Sequence, residues 1–187
     1  MTAPTHYSVL IRDGIEEDIP ECVRLDHHFK TDFVWQMNVE RDESSFSQVT
    51  FRKERLPRRM ESQHPADPNR LHLTLERRDC FLVISLRDTN QIIGYLSMTM
   101  DPIYRLGLIR DIVIQNEFRG NKLAVRLLNA ARTWGKEHQL VRLTAEIPTK
   151  NFPAIEFFQT YSFIFCGFNE RHFLNQDIAV LFSLPLR

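Results

Sequence analysis

The sequence predicts a mixed α/β (α+β) fold, a mostly antiparallel sheet of about seven strands flanked by about four helices. Three observations carry this. Apolar, β-rich runs at 80–86, 92–100 and 107–114 follow one another across short turns, as in an antiparallel meander. The period becomes helical over 121–139, where Leu123, Leu127, Leu128, Ala131 and Trp134 share a face. Alternation then returns, with Val141, Leu143, Ala145 and Ile147 separated by Arg142, Thr144 and Glu146, which marks a half-buried strand closed by Pro148.

The remaining elements follow from local signals. Tyr7 to Arg12 is a first strand, and Asp13-Gly14 turns the chain into a helical face made by Ile15, Ile19, Cys22, Val23, Leu25, His28 and Phe29. Residues 30–60 mix aromatics with charges and are expected to be irregular or helical, with Pro57 ending or kinking the segment. Residues 62–69, SQHPADPN, read as a surface loop. Residues 153–161 form a short helix with proline in its first turn, and 163–173 and 179–186 supply the last strands.

At 187 residues and 43% hydrophobic content, the chain can bury one substantial core, so a single domain over 1–187 is expected. Lys plus Arg balances Asp plus Glu at 24 each, which removes any overall electrostatic reason to expect a nucleic acid or an anionic membrane as partner. The basic run from Phe51 to Arg59 reads as a solvated helix face. Without a spanning apolar run or a leader pattern, a cytoplasmic protein is expected. Cys22, Cys80 and Cys166 are widely spaced and read as buried free thiols, and the histidines show no metal-ligand spacing.

The most informative segment is 108–128, LIRDIVIQNEFRGNKLAVRLL: an apolar strand, a polar bend, Arg-Gly, then a helix. Such a bend aims backbone N–H groups at one spot, and the helix adds its positive end, so the geometry suits a pyrophosphate. Arg119, Lys122 and Arg126 add positive charge. On these physical grounds alone, an ordinary strand-to-helix turn with a basic first turn is equally open.

Arg119-Gly120-Asn121-Lys122-Leu123-Ala124 resembles the R/Q-x-x-G-x-G/A signature of the GNAT acetyltransferase superfamily. Asn151 to Phe163 resembles a second motif of that family, N-x-x-A-x-x-F-Y-x-x-x-G-F, with Phe158 at the tyrosine place and Ser162 at the glycine place. The two motifs stand in the right order with the right strand between them, and the match covers roughly residues 80–168. The EFRG segment and Asp177-Ile178-Ala179-Val180 further resemble streptothricin acetyltransferases.

The resemblance implies acetyl-CoA as co-substrate and no metal. It places the pyrophosphate on Arg119 to Ala124 and the pantetheine arm along Ile112, Val113 and Ile114, and adds Asn151 and Phe158 to the cofactor site. The acetyl-CoA core then spans about 80–168 and the acceptor part 13–75, and a homodimer stays open. Lys122 replaces the first motif glycine, and it can supply the same amide if its φ/ψ is ordinary.

Acetyl transfer to an amine needs a neutral nucleophile. An ammonium with a pKa of ~10.4 stands about three units above neutral pH, a handicap of roughly 4 kcal/mol, so a general base matters. Glu146 is the first candidate, near the end of the strand from which some members direct a glutamate. Asp111 is the alternative, although a carboxylate within an apolar strand needs a partner, for which Arg110 and Arg142 are nearest in the pattern. A thiol with a pKa of ~8.5 leaves without much help, which makes the missing tyrosine at Phe158 tolerable. The acceptor is expected to be a small-molecule amine, with a protein amine or a CoA-binding module without catalysis as alternatives. Phe29, Phe33 and Trp35 with Glu40, Asp42 and Glu43 are candidates for an aromatic and acidic acceptor pocket, against plain core packing.

Overall fold

The computed structural model describes residues 7–41 and 47–186, so Asp42 and Glu43 lie outside the described residues. The chain forms two compact units. The first contains β1 (Val9–Asp13), α1 (Ile19–Arg24), α2 (Pro68–Glu76), β4 (Cys80–Leu86), β5 (Ile92–Asp101), β6 (Leu106–Ile114), α3 (Leu123–Glu137) and most of β7 (Arg142–Pro148). The second contains β2 (His28–Arg41), β3 (Ser47–Gln63), α4 (Phe152–Thr160), β8 (Ile164–Asn169) and the first part of β9 (Ala179–Pro185). Seven strands hydrogen-bond in the order β1-β4-β5-β6-β7-β9-β8, while β2 and β3 form a separate ribbon. No described helix is long and apolar enough to cross a membrane.

In the first unit, β4, β5 and β6 pair antiparallel because short turns return the chain directly to its neighbour, and β1 pairs antiparallel with β4 after a long connection. β7 reaches β6 through α3 and is therefore parallel to it, paired from Leu106↔Arg142 to Ile109↔Ala145. Ile19 and Cys22 of α1 and Leu71 of α2 pack on Phe81, Val83, Tyr95 and Val113. In α3, Leu123, Leu127, Leu128 and Ala131 are buried, as their spacing requires. Along β7, Leu143, Ala145 and Ile147 are buried while Thr144 and Glu146 share the half-buried face.

β6 carries a bulge. Ser97 opposes Asp111 and Met98 opposes Ile109, which leaves Arg110 as an extra residue. The inserted residue keeps its own side chain exposed and turns Asp111 into the interior.

The second unit is built on aromatic rings. Trp35 lies 5.9 Å from Phe51, 5.9 Å from Phe165 and 5.8 Å from Phe182, which ties the ribbon to β8 and β9. Phe33 packs 5.6 Å from Phe152 at the start of α4.

Three expectations for 13–69 are corrected. The first helix is only Ile19–Arg24, because Asp26 and His27 break the pattern and His28 already begins β2. Residues 30–60 are β-ribbon, a result foreshadowed by the alternation of Phe29, Thr31, Phe33, Trp35, Met37 and Val39 with mostly polar residues. Pro57 breaks neither strand. Thr31 pairs with Met60 and Phe33 with Arg55, so Pro57 sits in a bulge on a strand that has one neighbour, where its missing N–H costs little. The loop at 62–69 is shortened at both ends, by β3 and by α2, whose cap Asp67 accepts from the amides of Asn69 and Arg70 with Pro68 behind it. Cys22 and Cys80 are buried, which pushes both thiols up to about 12, whereas Cys166 is exposed.

Candidate active site

The strand-to-helix bend after β6 has the geometry of an anion site. Gly120 has φ +83, a left-handed conformation, and a Cβ placed on it would meet nothing within 4 Å, so the backbone faces open space there. The first helical bond of α3 runs from Arg126 N–H to the Lys122 carbonyl, leaving the amides of Leu123, Ala124 and Val125 ahead of it. Lys122 gives α3 no side-chain cap. By contrast, Asn151 caps α4, its Oδ1 accepting from Ala154 N–H at 3.2 Å.

Side chains brace the bend from behind. Arg119 Nε donates to the Ile114 carbonyl at 2.8 Å and Nη2 donates to the Asp26 carbonyl, so this arginine ties the loop to the end of β6. Asn121 Nδ2 donates to the carbonyls of Phe118 and Arg119 at 3.2 and 3.3 Å. Lys122 and Arg126 remain exposed on the first turn of α3 and provide the outward positive charge.

Upstream, β7 accompanies β6 only as far as Ile109, and Ile112, Val113 and Ile114 follow beyond that point, paired with β5 on their other edge. Glu146 stands at this divergence. Its Oε2 lies 3.5 Å from Arg110 Nη1, and Arg110 Nε donates to Thr99 Oγ1 at 3.3 Å.

Asp111 is built differently, and its partners are neither Arg110 nor Arg142. Arg70 takes both carboxylate oxygens at 2.6 and 3.0 Å, His64 Nε2 lies 2.7 Å from Oδ1, and the Ser97 hydroxyl donates to Oδ2. Burial opposes the charge, but these donors prevail and hold the carboxyl below its usual range. Next to this cluster, His27 Nε2 lies 3.0 Å from the Tyr95 hydroxyl, and burial lowers the imidazole pKa and raises that of the phenol. The sequence showed that Asp111 needed a partner. It did not show that partner, because Arg70 and His64 lie 41 and 47 residues away.

Residues 35–163 match the family model described as Acetyltransferase (GNAT) family. The chain belongs to this family. No curated protein matches it by sequence. Among solved structures, nourseothricin acetyltransferase superposes with a TM-score of 0.79 at 21% identity, covering 96% of this chain and 99% of that one. A protein assigned as streptothricin acetyltransferase from Bacillus anthracis str. Ames, solved with acetyl coenzyme A, gives 0.77 at 19% identity over 95% and 98%. The ribosomal-protein-S18-alanine N-acetyltransferase from Escherichia coli gives 0.66 at 10% identity over 95% and 94%.

Both replacements of a motif glycine fall on left-handed backbone. Lys122 has φ 60 and Ser162 has φ 70, so Lys122 does not have the ordinary φ/ψ expected of a lysine there. The turns keep the geometry that glycine would suit, at a cost of about 1–2 kcal/mol for each substituted residue. Phe158 is buried against Phe157 and Phe163, and Asn151 and Phe158 both belong to the second unit. Phe33 and Trp35 are engaged in aromatic packing, and Lys53 Nζ already stands over the Phe33 and Phe152 rings at 4.2 and 4.4 Å. The protein's own lysine thus occupies the aromatic surface where a cationic acceptor was expected.

Proposed function

We propose that this chain transfers the acetyl group of acetyl-CoA to the primary amine of a small molecule. The observation that carries the reading is the uncapped start of α3 after Gly120, whose backbone faces open space, with the amides of Leu123, Ala124 and Val125 ahead of the first helical bond. The pyrophosphate binds these amides, with Lys122 and Arg126 offsetting its charge. The pantetheine arm follows Ile112, Val113 and Ile114 along the edge of β6 that β7 has left. The likeness to the two antibiotic acetyltransferases supports a small cationic acceptor.

Glu146 takes a proton from the acceptor ammonium, directly or through water. The amine then bonds the acetyl carbon, and the C–S electron pair leaves on sulfur. Phe158 has no proton to give, and the thiolate with its pKa of ~8.5 departs without one.

Thermal melts should rise with acetyl-CoA, since a ligand that binds only the folded state stabilises it. A panel of aminoglycosides, streptothricins, polyamines and peptides, assayed for CoA release, identifies the acceptor class. Turnover of peptides alone would replace the small-molecule reading, and binding without any turnover would replace catalysis. Glu146→Gln should slow the reaction by ~10² to 10⁴ with acetyl-CoA affinity retained, and the loss should shrink as pH rises.

A further inference from the structure

Two protons must leave an ammonium that becomes a neutral amide, one before attack and one as the tetrahedral adduct collapses. Glu146 accounts for one of them. We propose that His64, oriented by the buried carboxylate of Asp111, accepts the other. This inference rests on the acetyl transfer proposed above.

Asp111 is a hydrogen-bond acceptor, so its contact at 2.7 Å puts the hydrogen of neutral His64 on Nε2 and leaves Nδ1 with a lone pair. The ring is also the most open member of its cluster, with its side chain 32% exposed against 25% for Arg70 and 0% for Asp111. Its backbone is held as well, because His64 N–H donates to the His27 carbonyl at 3.0 Å. A buried carboxylate and an oriented, partly exposed imidazole with a lone pair on its other nitrogen together make a proton acceptor.

The position fits the chemistry. Asp111 directly follows the bulge residue Arg110, and Arg110 is the residue that reaches Glu146. His64 through Asp111, and Glu146 through Arg110, are therefore both tied to one bulge, at the point where β7 leaves β6. Around the cluster stand Arg70 and Asp67 at the start of α2, His27 and Asp26 ahead of β2, and Tyr95 on β5. Arg70 shares the carboxylate, so Asp111 acts on His64 mainly through orientation and tautomer, and it is a positioning residue. In the step itself the amine nitrogen bonds the acetyl carbon, the C–S pair leaves on the CoA sulfur, and the nitrogen's proton moves to Nδ1. The products are an amide, a thiolate and an imidazolium.

The test is the profile of kcat/KM from pH 5 to 9 with an amine that the wild type acetylates. His64→Gln should lower the rate by ~10² at neutral pH and remove the acidic limb of the profile, while the thermal shift with acetyl-CoA stays as in the wild type. His72→Gln is the control, a histidine 3.8 Å from Glu16 and outside the cluster, and it should leave the profile unchanged. Imidazole nitrogen NMR of the wild type should show His64 as the Nε2–H tautomer. A His64→Gln enzyme with the wild-type rate and profile, or a neutral His64 protonated on Nδ1, overturns the proposal and leaves acetyl transfer standing. Absence of turnover with every amine overturns both.

Discussion

Asp111 and Glu146 are carboxylates on neighbouring strands at one bulge, and their surroundings differ. Asp111 has its side chain fully buried and receives hydrogen bonds from Arg70, His64 and Ser97. Glu146 is 25% exposed and meets a guanidinium at the long distance of 3.5 Å. A carboxylate saturated with donors is held in its charged form. The two helix starts repeat the contrast. Asn151 closes α4 from within the chain, while α3 begins uncapped at Lys122.

Removing each charge in turn separates the two carboxylates most directly. Asp111→Asn leaves Arg70 without its counter-charge and should cost about 3–5 kcal/mol, read from denaturant unfolding. Glu146→Gln should cost less than about 1 kcal/mol in the same experiment, since a partly exposed pair at that distance contributes little. Equal losses would mean that Glu146 is also a structural charge.

Acid sharpens the same distinction. The folded-state pKa of Asp111 is depressed, so its contribution is fully present above the unfolded value of ~3.9 and is lost as pH falls through the lower folded value. Stability measured against pH should therefore decline below ~4, and the Asp111→Asn variant should lack that part of the decline.

The helix starts give smaller effects. Asn151→Ala should cost about 1 kcal/mol through the lost cap. Lys122→Gly should gain up to ~1 kcal/mol by relieving a left-handed lysine, part of the relief being offset by the extra freedom of glycine in the unfolded chain. Both are read from melting temperature, and a destabilised Lys122→Gly would show that the lysine side chain supports the bend.

The meander, α3, β7 and α4 were legible in the sequence because their apolar spacing is set by local geometry, period 2 or 3.6 with one face buried. The Gly120 bend was legible for the same reason, since its turn chemistry is local. The ribbon at 28–63 is masked in the sequence by charge and aromatic content that outweigh a visible alternation, and α2 by Asp67-Pro68, which has the composition of a loop and is a cap and first turn. Glu146 was placed on its face by alternation alone. What only the tertiary structure decided is which residues serve Asp111: a bulge at Arg110 turns the carboxylate inward, and chain folding brings Arg70 and His64 to it. Periodicity can say that a charge lies in an apolar strand and must be satisfied. The satisfying donors are chosen by contacts distant in sequence, where no local pattern is required to record them.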